Sequence, residues 1–385
     1  MTEKLYYIDS HLHKFTAKVT ACEACGGEYL LELDRTAFFP EGGGQAADTG
    51  SVGSAQVRDV QERQGRILHY ADSPLDVGQE YECAIDYEQR LGRMQNHSGE
   101  HIVSGITHRL FGLDNVGFHM GDGYMTIDFN GELDGKALEE IETLANKAVR
   151  ENLPVKTAFP DAETLKTLEY RSKLALSENV RIVEIEGIDR CACCAPHVAR
   201  TGEIGVIKIL DAERHRGGVR LSLVCGMDAL EDYRCKQKNI SAISEALSAK
   251  KERTAAAVER MLLEQNRLKE RIAALSMEAV RLRAAAQEYH EGNLCVFDNV
   301  LDEIALRELV NLLMEKCSGL AAAFSGSDGE GYRYIIGSRS MDLRAALKTI
   351  NSGIGGKGGG SSMMIQGRAS ESAEKIQKFV ECLKV

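Results

Sequence analysis

Two short stretches of this chain carry residues that bind metals: His97-Ser-Gly-Glu-His101 and Cys193-Cys-Ala-Pro-His197. Each spaces two nitrogen or sulfur donors four positions apart. Together they offer the four soft-to-borderline ligands that a tetrahedral Zn²⁺ prefers. One His-x-x-x-His arises easily by chance, but a second pair that adds a thiolate makes zinc the expected cofactor, one ion per chain. His97, Glu100 and His101 also fit the inverted zincin pattern His-x-x-Glu-His, in which the glutamate is the base of a peptidase. That chemistry needs a carboxylate as third ligand and an open coordination position. The second pair instead supplies a thiolate and an imidazole. A further alternative is a closed, structural zinc in a non-catalytic RNA-binding protein.

Two glycine-rich segments flank these pairs. The first is Thr36-Ala-Phe-Phe-Pro-Glu-Gly-Gly-Gly-Gln45, followed by Asp48-Thr-Gly50. Its three consecutive glycines allow close backbone approach or positive φ. The second is Gly353-Ile-Gly-Gly-Lys357-Gly358-Gly359-Gly360. Amides and an ammonium in such a loop suit a phosphate cradle, although the helix-opening GK[ST] of a Walker A loop is missing. A flexible linker is the competing reading. The formal charge of −11 is uneven, because 23 Lys/Arg stand against 21 Asp/Glu from residue 231 onward. Arg333, Arg339, Arg344, Lys348, Lys357 and Arg368 share their stretch with one acid, Asp342. A local basic face is enough to bind nucleic acid.

These residues need elements to hold them. Residues 1–88 read as short strands broken by turn residues, a small β-barrel with one unusual glycine loop. Residues 89–228 alternate helix and strand. Met94, His97, His101, Ile102 and Ile106 recur at helical spacing, so the two histidines share a face. Pro196 places the second pair on a turn. Residues 229–290 lack proline, and Leu268, Ile272, Leu275, Ala279, Leu282 and Ala286 make a coiled-coil-like seam. One long helix or a helical hairpin fits, with a homodimer seam or an arm as its use. Residues 291–385 form a compact α/β module. The fold class is thus α+β: barrel, α/β zinc-binding domain, helical arm and C-terminal α/β domain. Eleven scattered cysteines and no signal peptide or membrane span point to a cytoplasmic protein with reduced thiols.

Thr36-x-Phe-Phe-Pro-Glu-Gly-Gly-Gly-Gln-x-x-Asp-x-Gly50, His97/His101, Gly117-Phe-His119 and Cys193-x-x-Pro-His197-Val-x-x-Thr-Gly-Glu-Ile-Gly205 resemble the editing domain of alanyl-tRNA synthetase. They resemble more closely the free-standing alanyl-tRNA editing proteins of the AlaX type. The segment 353–360 with Gln366-Gly367 resembles the DHHA1 domain of the long form. The resemblance implies hydrolysis of the ester in tRNA(Ala) mischarged with serine, or with glycine, and no aminoacylation core. It implies His97, His101, Cys193 and His197 as zinc ligands, Thr36 meeting the serine hydroxyl, and Gly43, Gly44 and Gln45 bordering the pocket. His119 is implied to orient water or substrate, and Lys357, Gly358 and Gly359 to grip the tRNA. The family's second pair usually reads Cys-Gly-Gly-Thr-His, so Cys191 and Cys194 are competing thiols here.

Overall fold

The computed structural model describes residues 2–121, 123–172 and 180–383. It divides into two compact units, Met1–Ile240 and Ser241–Val385.

In the first unit, six strands close into a barrel: β1 (Lys14–Cys25), β2 (Glu28–Leu33), β3 (Gly50–Val52), β4 (Ala55–Arg63), β5 (Arg66–Ala71) and β6 (Glu80–Ile85). Their order around it is β1-β2-β5-β4-β3-β6. Inward positions alternate with solvated ones, as in Ala17 and Val19 on β1 or Val57 and Val60 on β4, and fill the barrel with apolar side chains.

Helix α1 (Tyr87–Phe111) starts where the Asp86 side chain accepts the Gln89 amide, and stops at Gly112 in the left-handed region. It runs through the middle of the α/β part, and Met94 to Thr107 is buried throughout. Strands β7 (Asn115–Met120) and β8 (Met125–Phe129) form one edge of a four-stranded sheet. Helix α2 (Gly135–Glu151), capped by Asp134, packs with α1 against that sheet through Ile141 and Ala145. A separate antiparallel sheet holds β9 (Val155–Ala158), β10 (Ile182–Ile185) and β11 (Asp189–Ala192). The larger sheet is completed by β12 (Ile207–His215) and β13 (Gly218–Cys225), in the order β12-β13-β8-β7.

The stretch read as one long helix or a hairpin contains two helices, α3 (Gly226–Ala246) and α4 (Thr254–Ala286), with a 3-10 turn at Lys251–Arg253. The seam residues Leu268, Ile272, Leu275 and Leu282 of α4 are exposed.

In the second unit the opposite face of α4, at Val280 and Ala284, packs against the apolar side of α5 (Glu303–Leu313). A five-stranded sheet contains β14 (Leu294–Asp298), β15 (Leu320–Ser327), β16 (Gly331–Ser338), β17 (Gly356–Gly360) and β18 (Met364–Ala369), ordered β14-β15-β16-β18-β17. Helices α6 (Leu343–Gly353) and α7 (Ala373–Cys382) pack on the sheet face away from α5. The glycine run expected to be a phosphate-cradling loop is therefore an edge strand. Gly358 lies opposite Gly367 in the ladder, and a Cβ on Gly358 would collide with the Tyr334 hydroxyl and the Gln366 carbonyl. Glycine is needed there for strands to close on one another, not for a nest of free amides.

Candidate metal centre and its cavity

The ligand atoms of His97, His101, Cys193 and His197 all lie within 4.8 Å of one another. Two come from successive turns of α1 and two from the turn after β11. Cys193 Sγ is 3.4 Å from Nε2 of His97. Each imidazole is set by a different neighbour. His97 donates from Nδ1 to Gln45 Oε1 at 3.1 Å, which leaves Nε2 free to face the thiol. His101 donates from Nδ1 to Asp189 Oδ2 at 2.8 Å. Asp189 is in turn gripped by Arg171, with Nε on Oδ1 at 2.7 Å and Nη2 on Oδ2 at 2.9 Å. A carboxylate behind a ligand histidine fixes its tautomer and raises its basicity. His197 is 2% exposed, and neither ring nitrogen has a hydrogen-bond partner. Leaving such a group unmet costs about 1–3 kcal/mol, and a metal at the centre of this quartet would meet it.

Electrostatics separate the three thiols. Burial raises the pKa of Cys193, but the imidazoles of His97, His197 and His101 around it outweigh burial and hold it well below the ordinary thiol value. Cys191 and Cys194 are each pushed up to about 11 by burial. The thiolate is the form that binds metal, so Cys193 is the favoured ligand. Burial also drives His197 down to about 3 and keeps its ring neutral, as a ligand must be. Asp189 is raised by burial and lowered more by its bonds to His101 and Arg171, ending at about 2.

Close packing places these partners. A Cβ on Gly105 would sit 2.5 Å from the Ile188 carbonyl and 2.6 Å from Cβ of Asp189. Glycine there lets the approach to β11 press against α1 and deliver Asp189 to His101. Gly43 and Gly44 have φ of +63° and +81°, and Gly42 and Gln45 bond to each other through both amides at 3.0 Å. Two positive-φ residues inside such a bridge make a tight two-residue turn, and that turn presents Gln45 to His97. Arg90 ties the same segment to α1, with Nε 3.0 Å from each Asp48 oxygen and Nη2 2.6 Å from the Ala37 carbonyl.

A cavity of about 550 Å³ opens beside the quartet, lined by Tyr7, Gly43, Gly44, Phe118, Phe159 and Arg181 next to His97, His101 and Cys193. Gly43 and Gly44 border this cavity. Gln45 is 1% exposed and serves His97 instead of lining it. Thr36 does not line the cavity either. It is fully buried, with its hydroxyl 2.9 Å from Nε2 of His69 and 3.1 Å from the Phe38 amide. His69 donates from Nδ1 to the Leu31 carbonyl, so its Nε2 must take the Thr36 proton. The Thr36 proton is thus already spent on His69. His119 is exposed, one strand position beyond Phe118, whose ring centroid lies 4.9 Å from that of His97. Neighbours on a strand point to opposite faces, so it is Phe118 and not His119 that reaches the site. Glu100 accepts hydrogen bonds from Ser104, at 2.7 Å, and Asn115. A carboxylate committed in this way, beside a thiolate ligand, does not suit the peptidase mechanism.

Sequence reading missed Asp189, Arg171, Arg181, Tyr7 and Phe159. Only Asp189 left a signal: it shares a two-residue strand period with Cys191, on the segment that leads into Cys193.

Two family models match. Residues 180–221 match the threonyl and alanyl tRNA synthetase second additional domain, and residues 291–384 match the DHHA1 domain. The chain is 27% identical to the alanyl-tRNA editing protein AlaX-L of Pyrococcus horikoshii, over 98% of this chain and 96% of that protein. It is 32% identical to the alanine--tRNA ligase of Methanopyrus kandleri, over 95% of this chain and 42% of the ligase, so it spans less than half of that enzyme. The solved C-Ala domain of Aquifex aeolicus alanyl-tRNA synthetase is 20% identical and covers 24% of this chain and 85% of that chain, with a TM-score of 0.20. With both domains matched and the AlaX-L relative aligned almost end to end, the chain is similar along nearly its whole length to the alanyl-tRNA editing proteins of the AlaX type, in their long form.

Proposed function

We propose that this chain is a cytoplasmic trans-editing hydrolase that deacylates tRNA(Ala) mischarged with serine, or with glycine, at a zinc centre. The observation that carries the reading is the buried quartet of His97, His101, Cys193 and His197 with two orphaned His197 nitrogens, beside a cavity bordered by the Gly43–Gly44 turn. Three imidazoles and a thiolate are the donor set of zinc. When bound, zinc supplies a Lewis-acid contact that orients the ester carbonyl or the amino group of the substrate.

The protein's own groups do the remainder. Gln45 and Asp189 hold the two α1 histidines in one tautomer and one orientation. Gly43 and Gly44 carry no side chains, so the acyl end of a substrate can come close to the main chain. The need for such a site arises from chemistry, since a synthetase pocket rejects a slightly different small amino acid poorly and a second hydrolytic step supplies the discrimination.

The tRNA body would be held by the second unit. Arg333, Arg368 and Lys357 stand in register on three adjacent strands, all exposed. Contacts of cations with phosphates position a substrate without reading its sequence. The exposed α4 seam is the surface through which a homodimer would form. Domain limits of 1–88, 89–228, 229–290 and 291–385 divide these tasks.

The four-ligand set also favours one other reading, an RNA-binding protein in which the metal only staples segments together. One assay separates them. The protein incubated with Ser-tRNA(Ala) and Ala-tRNA(Ala) should release serine in clear excess over alanine. Equal, background release from both would overturn the editing function.

A further inference from the structure

An ester on the 3′ end of a tRNA brings its nucleoside with it. The acyl group and the base are attached to the same ribose, so a site that holds the ester beside the metal must also accommodate a planar base one sugar away. Among the aromatic side chains lining the cavity, Phe118 is spent against His97. Tyr7 and Phe159 are placed differently. Their rings meet edge to face, with centroids 5.4 Å apart and planes at 69°. Phe159 is 54% exposed, a large apolar ring left open to solvent on a cavity wall.

Tyr7 also meets the Tyr6 ring, with centroids 4.6 Å apart, and the Lys4 ammonium, 5.8 Å from its centroid, and a further contact leads back to the candidate ligands. The Arg181 guanidinium lies 5.2 Å from the Tyr7 ring centroid, within the range of a cation–π contact. Nη1 of Arg181 donates to the Cys193 carbonyl at 3.0 Å and to the Ala195 carbonyl at 2.8 Å, and the Arg181 carbonyl accepts the Cys193 amide at 3.0 Å. Arg181 is buried and forms no ion pair with a described residue. An unbroken series of contacts therefore runs from Phe159 through Tyr7 and Arg181 to the turn that carries two metal ligands.

We propose that Tyr7 and Phe159 form the platform on which the terminal adenine of the aminoacyl-tRNA stacks, and that Arg181 fixes that platform relative to the metal turn. The inference rests on the editing function. Stacking of a base on an aromatic ring tolerates any base and is worth about five- to 150-fold in binding. Phe159 is the residue to change, because its exposure means that its loss leaves no cavity in the core.

The test measures how well uncharged tRNA(Ala), ending either in CCA or in CC, inhibits deacylation of Ser-tRNA(Ala) by the full-length, metal-loaded protein. For the wild-type protein, removal of the terminal adenosine should weaken inhibition about five- to 150-fold. For Phe159→Ala the two tRNAs should inhibit equally weakly, with metal content unchanged. Phe159→Trp should keep the preference, and Phe159→Leu, apolar but without a ring face, should lose it. A Phe159→Ala protein that retains the full preference overturns the platform, as does a Phe159→Leu protein that behaves like wild type. Failure of the wild-type protein to deacylate Ser-tRNA(Ala) at all would instead remove the editing function on which the platform depends.

Discussion

The two units solve opposite problems with charge. Around the metal quartet the buried charges are paired, His101 with Asp189, Asp189 with Arg171 and Asp48 with Arg90, and His97 is held by Gln45, while His197 keeps both ring nitrogens unpartnered. In the C-terminal unit Arg333, Arg368 and Lys357 face one another across the sheet in open solvent, and none forms an ion pair with a described residue. Like charges directly opposite on a sheet repel. Dry, paired charges hold reacting groups still at the moment of reaction. Wet, unpaired cations attract a polyanion and release counterions. The contrast implies that chemistry and grip are separable, and substitutions on either side can test that separation.

Removing the thiolate should have the largest effect. Cys193→Ala takes away the one anionic ligand and leaves three buried imidazoles. Metal analysis should fall from one ion per chain to near none, and deacylation should fall by about 100-fold or more, the upper end of what loss of a mere supporting partner costs. Affinity for tRNA should stay within about twofold. Retention of a full complement of metal would transfer the role to Cys191 or Cys194. A large loss of tRNA affinity would break the separation itself.

Asp189→Asn is next. The amide keeps the shape but loses the charge that fixes His101 and answers Arg171. Metal affinity measured by competition with a chelator should drop about 10- to 100-fold. An unchanged affinity would mean that Asp189 matters only to packing.

The quartet was legible because spacing alone encodes it: four positions along α1, and four across a turn that Pro196 keeps from being helical. The supports were not. Asp189 and Arg171 meet across eighteen residues, and Gln45 reaches His97 only because the Gly43–Gly44 turn folds back against α1. No periodicity reports such pairings. His119 shows a different limit. A Gly-Phe-His run entering a strand leaves one of two neighbours facing the site, and sequence favoured the polar one. The segment 353–360 misled by composition, since glycine serves both a free loop and a strand pressed against its neighbour. The α4 seam was legible as a pattern, yet its break from α3 was not, because residues 247–253 hold no proline or glycine.

A third prediction tests how dry the barrel floor beneath the glycine turn is. Burial lowers His69 from 6.5 to about 4. Its folded pKa lies below its unfolded one, so its contribution is complete above pH 6.5 and is lost as pH falls from 6.5 toward 4. Stability should decline by about 1.4 kcal/mol per pH unit across that window from this group alone. Thermal unfolding of wild type and His69→Gln should show a shallower acid slope in the variant. Equal slopes would place the acid sensitivity elsewhere.

The smallest effect per residue belongs to the cation face, and its signature is the salt dependence. Arg368 is central, flanked by Arg333 on β16 and Lys357 on β17. Each phosphate contact that is lost should lower the magnitude of the slope of log affinity against log salt by about one. Arg368→Ala should therefore flatten the slope by about that amount and weaken binding most at low salt. Its kcat at saturating Ser-tRNA(Ala) should remain that of the wild-type protein, because no reacting group has moved. A lowered kcat with an unchanged slope would mean that this face shapes the reaction and does not simply hold the tRNA, and the division between a dry chemical centre and a wet grip would fail.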